Sequence, residues 1–317
     1  MFWIYVLIFI FSCFLLAFSS KWLVSALSRI ALFLRLKEFV VGFFLMAFAA
    51  SIPNIIVGII SATSKIPQLS FGEVVGGNIV DLSILVGLAA LISKKGLSAQ
   101  SRTVQGSSVF TILIAILPIV LILDGVLSRW DGILLILSFI FYIFWLFSDK
   151  ERFSKVYNHA KEPLSFKIFL KDSLIVAGGI ILLLLSGEGV VRSALYFSQT
   201  FNLPLGLIGI LVVGAGNTLP EAFFSVQAAK KGQDWAILGD LMGSVVITAT
   251  LVLGMVAIIY PIEILDFSSL AIARIFLIIS ALFFLFFIRT GRRITKKEAI
   301  FLLVIYIAFV FAEFFVK

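Results

Sequence analysis

The chain has 317 residues, of which 62% are apolar and only 13% charged, with a mean hydropathy of +1.19. That composition excludes an ordinary water-soluble domain and places most of the chain in lipid. A net charge of +8 could suggest a nucleic-acid partner, but the basic residues are distributed by topology rather than gathered on one surface, so no nucleic acid is expected.

A hydrocarbon layer of roughly 30 Å takes about 20 apolar residues per helix. Ten such runs follow one another, near 2–20, 36–62, 69–93, 105–123, 131–148, 168–195, 204–229, 235–259, 268–289 and 298–316. The first has no charged amino end and no small-residue cleavage site, and reads as a membrane helix rather than a secretory signal. Its Cys13 is the only cysteine, so no intrachain disulfide forms. Alternate connections hold 20 of the 25 basic residues: Lys21 to Lys37, Lys94 to Arg102, Lys150 to Lys171, Lys230 with Lys231, and Arg289 to Lys297. By the positive-inside rule those connections are cytoplasmic and both termini face outward, as for a multi-pass protein of the plasma membrane.

The most hydrophilic stretch contains the only histidine, His159, and divides the chain into a first five-helix unit at 1–148, a cytoplasmic linker at 149–167 and a second unit at 168–317. A shift of 167 positions aligns 41–90 with 208–257 without a gap, matching Gly42 to Gly209, Pro53 to Pro220, Gly72 to Gly239, Gly76 to Gly243 and Gly87 to Gly254. Glycine and proline govern backbone geometry, so matches at these residue types exceed a shared apolar composition. Five helices is an odd number, so the second copy enters the membrane from the opposite side. The expected fold is all-α: ten transmembrane helices in two inverted repeats, with a substrate site near the midplane where broken helices meet.

The breaks are visible as polar knots, AASIPNII at 49–56 and GNTLPEAF at 216–223. Pro53 and Pro220 cannot donate to the preceding turn, so the helices should kink and free carbonyl oxygens that need a partner in hydrocarbon. Asn54 and Glu221 follow the two prolines. An intramembrane carboxylate costs a few kcal/mol, about 2.5–3.5 for Asp, and so marks a pathway or a partner; the alternative for Glu221 is a neutralised, hydrogen-bonded packing role. The next helix of each unit opens with FGEVVGGNIVD at 71–81 or LGDLMGSVVIT at 238–248. Glu73, Gly77 and Asp81 share one helix face, as do Asp240, Ser244 and Thr248, and their small residues admit a neighbouring broken helix. Glu73 and Asp240 serve equally well as caps of helix amino ends or as acids at two pathway mouths.

The buried candidates are Asn54, Asp81, Glu221, Ser51, Thr218, Ser244 and Thr248, with backbone carbonyls near both prolines. Oxygen-only ligands suit hard cations such as Ca²⁺ or Na⁺, and there is no Cys or His cluster for softer metals. Two carboxylates balance one divalent or two monovalent ions. An empty doubly negative site crosses the low-dielectric centre at high cost while either loaded form crosses nearly neutral, which is a basis for counter-transport.

At the two knots the sequence resembles the calcium/cation antiporter superfamily, which includes the sodium/calcium exchangers and carries paired repeats around Gly-Thr-Ser-Leu-Pro-Glu and Gly-Ser-Asn-Ile. GNTLPE at 216–221 is close, while AASIPN at 49–54 and GGNIVD at 76–81 match with changes. The resemblance implies a ten-helix exchanger whose first and sixth helices slide against four core helices. Carried over by position, it places side-chain ligands at Asn54, Asp81, Glu221 and Thr248. It places carbonyl contributions at Ala47, Ala50, Gly214 and Asn217, and sodium-contacting positions at Ser51, Gly77, Thr218 and Ser244. Family members usually have Glu in both knots where this chain has Asn54, often Asn where it has Asp81, and an acid where it has Thr248, which leaves the cation and its counter-ion open.

The expected function is a secondary antiporter, Ca²⁺ against Na⁺ or H⁺, in which these ions are substrates, no cofactor is needed, the bilayer and the small cations are the partners, and the oligomeric state is open. An uncoupled cation channel, an antiporter of another cation and a transport-inactive descendant are the alternatives. An intramembrane protease using Asp81 and Glu221 has no further motif in its favour. Glu188 and Arg192 are expected to form an interfacial pair.

Overall fold

A computed structural model of the chain describes residues 1–33, 48, 51–148, 166–264 and 268–315. Residues 149–165 of the 149–167 linker, most of the run at 36–62, and with it Ala47 and Ala50, lie outside the described residues.

The chain is all-helical. Helix α1 spans Phe2–Phe33, α2 Ile52–Thr63, α3 Pro67–Val80 and α4 Val86–Ile92, the last two joined by a wide π-helical turn at Asp81–Leu85. After the short strand β1, Leu97–Ser98, come α5 at Arg102–Leu121, β2 at Val126–Leu127 and α6 at Arg129–Ser148. The second half begins with α7 at Phe166–Phe201. A stretch of α8 at Leu205–Ile208, a π turn at Gly209–Val213 and α9 at Gly214–Asn217 then leads to α10 at Leu219–Lys230. Helix α11 at Asp234–Val246 passes through a third π turn, Ile247–Val252, into α12 at Leu253–Ile259. Strand β3 at Ile262–Glu263, α13 at Ser268–Gly291, β4 at Arg293–Ile294 and α14 at Lys296–Phe315 complete the order.

Among the described residues eight helical stretches are long and apolar enough to cross a membrane. Of the other two expected spans, 298–316 corresponds to the 20-residue α14, and 36–62 is represented by the 12-residue apolar α2. The first and sixth helices are longer than their apolar runs. With 32 and 36 residues, α1 and α7 extend about 48 and 54 Å at 1.5 Å per residue. Basic residues such as Lys21, Arg29 and Lys171 end the apolar runs without ending the helices, since Lys and Arg are good helix formers.

The two halves meet along a crossing of backbones. A methyl group placed on Gly72 would collide with the carbonyl oxygen of Gly206, and one on Gly76 with that of Ile210. On the facing side a methyl on Gly209 would collide with the Leu69 oxygen, and one on Gly214 would lie 2.8 Å from the Gly77 nitrogen. Only residues without Cβ let α3 and the α8–α9 stretch touch backbone to backbone, as small residues do between membrane helices. At the rim, β1 pairs antiparallel with β4 (Leu97 with Ile294) and β2 with β3 (Val126 with Glu263).

Helices α1 and α7 run antiparallel and form the broadest helix pairing. Tyr5 stacks on Tyr196 with ring centres 4.0 Å apart, and at the far end Arg29 donates two hydrogen bonds, of 2.9 and 2.7 Å, to the carboxylate of buried Asp172. The Glu188 and Arg192 pair forms as expected, at 2.6 Å and exposed on both sides.

Candidate cation site

In the second knot one residue, Thr218, interrupts the helix between Asn217 and Leu219. Pro220 is the second residue of α10, where its missing N–H is one of the groups a helix start leaves unbonded anyway. Thr218 closes α9, and its hydroxyl caps the Ala215 carbonyl at 3.1 Å. Pro53 holds the matching place in α2, after Ser51. Asn54 and Glu221 therefore stand in the first turn of new helices that begin inside the protein, 5% and 0% exposed.

Between these starts and the facing helices lies a cavity of about 10 Å³, lined by Asn54, Glu73, Val74, Gly77, Asn78, Asp81, Gly214, Thr218, Ser244 and Thr248. That is room for one water-sized occupant. Seven of the lining residues are expected candidates: Asn54, Gly77, Asp81, Gly214, Thr218, Ser244 and Thr248. Glu221 stands immediately beside them, where Ser244 Oγ donates to its Oε1 at 3.3 Å. The same hydroxyl also faces Asp81, and Asp81, Glu221 and Asp240 are close enough to act on one another electrostatically. Ser51 is fully buried at the start of α2 but is outside the cavity lining.

Three polar residues gain a place that the sequence left open. Glu73 lines the cavity, and its Oε1 accepts a hydrogen bond of 2.5 Å from Asn217 Nδ2, so Asn217 presents its side chain here and not only a carbonyl. Asn78 accepts a bond of 2.9 Å from Thr248 Oγ1, which ties the two halves across the cavity. An amide in mid-membrane was the available signal for Asn78, since such a group needs a partner. Asp240 adds its charge to Asp81 and Glu221 from outside the lining. Capping explains neither Glu73 nor Asp240: each is the seventh residue of its helix, beyond the first turn whose N–H groups need acceptors. The acid in the first turn of α11 is Asp234.

Five buried oxygens at and around the cavity have no hydrogen-bond partner among the described residues: Glu73 Oε2, Asp81 Oδ1, Asn217 Oδ1, Glu221 Oε2 and Asp240 Oδ2. All are acceptors, and no described lysine or arginine lines the cavity. Buried acceptors of this kind require a proton or a cation. Among the described residues no three His, Cys, Asp or Glu side chains converge tightly enough to hold a metal by themselves. Any ion bound here therefore shares carboxylate, amide, hydroxyl and carbonyl oxygens, which is hard-cation chemistry.

Comparison with known proteins gives the same direction. The chain is 26% identical to the sodium/calcium exchanger MaX1 of Methanosarcina acetivorans, over 94% of this chain and 95% of that protein. It is 28% identical to the uncharacterized membrane protein MJ0091 of Methanocaldococcus jannaschii, over 86% and 88%. Its fold matches that of the sodium-calcium exchanger NCX_Mj, in a structure soaked with Na⁺ and Sr²⁺, with a TM-score of 0.68, 24% identity and 98% of both chains covered. The family model for sodium/calcium exchanger proteins matches residues 4–148 and 172–315, and these two segments, which take in both knots and nearly every helix described above, show that the chain belongs to the sodium/calcium exchanger family.

Proposed function

We propose that the protein is a secondary antiporter that exchanges Ca²⁺ for Na⁺ by alternating access at this cavity. The observation that carries the reading is the set of buried, partnerless carboxylate and amide oxygens around a space the size of one ion. Unneutralised charge in a low-dielectric interior is costly, so the emptied site resists reorientation and the loaded site does not. That difference converts binding into obligatory exchange. A closed, ion-sized space also favours an exchanger over an open pore. The family is one of transporters, and Asp81 and Glu221 act as ion ligands rather than as a catalytic pair.

In this reading Glu221 and Asp81 supply the charge, while Asn54, Thr218, Ser244 and Thr248 supply neutral oxygens. Carbonyls of Gly214 and Asn217, and of Ala47 and Ala50 in the first knot, complete the shells beside Ser51 and Gly77. The architecture is ten helices in two inverted five-helix units, 1–148 and 168–317, joined by a cytoplasmic linker, in the plasma membrane with both termini outside. Several features support the inversion. The same family model matches both halves. Two of the π turns, at 81–85 and 247–252, occupy corresponding places under the 167-residue shift. The rim pairs also exchange: β1 follows the third helix of one unit and binds β4 after the fourth helix of the other, whereas β3 follows the third helix of the second unit and binds β2 of the first.

The test is ⁴⁵Ca²⁺ uptake into proteoliposomes of the purified protein with an outward Na⁺ gradient, an outward proton gradient or neither, beside Glu221→Gln. Uptake that requires the Na⁺ gradient and is lost in the variant is the expected result. Uptake that follows the proton gradient alone would replace Na⁺ as the counter-ion, and uptake indifferent to both gradients would leave a channel.

A further inference from the structure

The connection between α4 and α5 and the connection between α13 and α14 belong to opposite halves of the chain and are bonded into one rim. Leu97 pairs with Ile294 and Ser98 with Arg293, and the Ala99 N–H donates to the Arg292 carbonyl at 2.8 Å. Gln105 Nε2 adds bonds of 2.7 and 2.9 Å to the carbonyls of Ala99 and Ile288. Two residues adopt a left-handed backbone at the joint, Gly96 at φ +76° and Arg292 at φ +48°. A methyl on Gly96 would collide with the Ile294 carbonyl, and a left-handed arginine is held there only by its surroundings.

The joint gathers charge of one sign. Gly96 meets the backbone of Ile294 and Thr295, so their chain neighbours Lys95 and Lys296 flank one contact. Lys94 joins them from the first connection and Arg289, Arg293 and Lys297 from the second, all exposed except the half-buried Arg293. None of the six forms an ion pair among the described residues. The two acids of this rim bond to the loops themselves. Asp234 accepts from Ser93 Oγ and the Ser98 N–H at 3.3 and 3.0 Å, and Glu298 from the N–H and hydroxyl of Thr295 at 2.7 and 2.8 Å. Membrane orientation requires basic residues in certain connections, but not that two such connections be bonded together. The β2–β3 joint at the opposite rim has the same design with Glu263 on it and Asp124 beside it, so the pairing itself does not need basic residues. Like charges held in one place attract an anion.

The surface below the charges identifies that anion. Exposed Leu88 and Ile92 precede Lys95 on α4, exposed Leu282 and Phe286 precede Arg289 on α13, and exposed Ile300 and Val304 follow Lys296 on α14. These three helices are neighbours: a methyl on Gly87 of α4 would meet the Ala299 carbonyl of α14 at 3.0 Å, and Phe283 of α13 lies 4.7 Å from Phe301 of α14. Positive charge above an apolar, bilayer-facing surface matches the phosphate and chains of a phospholipid. Residues 149–165 of the linker carry four basic and three acidic side chains and so bring no counter-charge of their own.

We propose that this rim binds the headgroup of an anionic phospholipid, with its phosphate between the α4–α5 and α13–α14 connections and its chains on α4, α14 and α13. Lys94 and Lys95 reach it from the first half of the chain and Arg289, Arg293, Lys296 and Lys297 from the second, so the bound lipid ties the halves together away from the cation cavity. The site depends neither on which ions are exchanged nor on which side of the membrane the rim faces.

The test is the melting temperature of the purified full-length protein in neutral detergent with rising mole fractions of phosphatidylglycerol, cardiolipin or phosphatidylcholine, and separately with glycerol 3-phosphate. Both anionic lipids are expected to raise it with saturation, and phosphatidylcholine much less. Lys94→Gln with Lys95→Gln, and Lys296→Gln with Lys297→Gln, should each raise the half-saturating mole fraction of phosphatidylglycerol about tenfold or more. Lys94→Arg with Lys95→Arg should bind as the wild type does. Lys65→Gln with Arg129→Gln removes two basic residues from the opposite rim and should leave the half-saturation unchanged. If one glutamine pair does not fold, the other decides. The site is wrong if phosphatidylcholine stabilises the wild type as well as phosphatidylglycerol, if the glutamine pairs change nothing, or if the opposite-rim pair weakens the lipid as much as they do. Saturation by glycerol 3-phosphate at the same concentrations as the lipid would assign the rim to a free phosphate ester and overturn the lipid.

Discussion

The α1–α7 pair and the crossing of α3 with α8–α9 are both close helix contacts, and they are held by opposite means. At the crossing the backbones touch through Gly72, Gly76, Gly209 and Gly214, no side chain intervenes, and no described lysine or arginine lines the cavity beside it. Along α1–α7 side chains make the contact, and the buried acid there, Asp172, is fully paired with Arg29. The shift of 167 that relates the halves carries position 5 to 172 and position 29 to 196. The Tyr5–Tyr196 stack and the Arg29–Asp172 pair thus occupy exchanged places at the two ends of one helix pair. The contrast separates two kinds of buried acid: the peripheral one is neutralised by Arg29, and the central ones meet no described basic side chain.

The largest expected effect tests the centre. Glu221→Gln should lower calcium affinity ten- to hundredfold, the loss of a charged interaction of about 1.5–3 kcal/mol, read from the Ca²⁺ concentration that half-saturates the rise in melting temperature of the purified protein. Calcium binding of wild-type strength in that variant would show that the central acids are packing groups like Asp172. Next comes Gly76→Ala, whose methyl collides with the Ile210 carbonyl and which should cost about 1–3 kcal/mol in a denaturation midpoint. The same substitution at Gly178 on α7, with nothing within 4 Å, should be neutral or stabilise by about 0.5–1 kcal/mol. Equal effects at the two glycines would remove the distinction between the contacts.

A smaller effect is expected from the half-exposed ion pair. A double-mutant cycle of Arg29→Ala and Asp172→Ala should give a coupling of about 1 kcal/mol, reduced by salt because Arg29 is 40% exposed. The Tyr5–Tyr196 stack should couple by about 0.5–1.5 kcal/mol without salt dependence. If salt weakens both couplings alike, the two ends do not differ in the way their side chains indicate.

Much of this arrangement is already present in the linear sequence. Apolar run lengths set the spans, because a bilayer admits backbone only as helices that bond internally. Pro53 and Pro220 located the breaks, since proline lacks the N–H a continuing helix needs. The four-residue spacing of Gly77 and Asp81, and of Ser244 and Thr248, put the candidate ligands on the faces that line the cavity. Local chemistry decided all of these, within one helix or one turn.

What the sequence left open depends on which face meets which. Glu73 read equally as a cap and as a pathway acid, and its seventh place in α3 with Asn217 opposite removed the capping role. Asn78 gained its partner only because Thr248, 170 positions away, is brought across the cavity. The lengths of α1 and α7 were hidden because charged residues end an apolar pattern but not a helix. Periodicity specifies the composition of a helix face, whereas the neighbour of that face follows from the packing of all helices together. The glycine crossing of α3 with α8–α9 fixes that packing here, and it brings the acids and amides of distant segments around one small space.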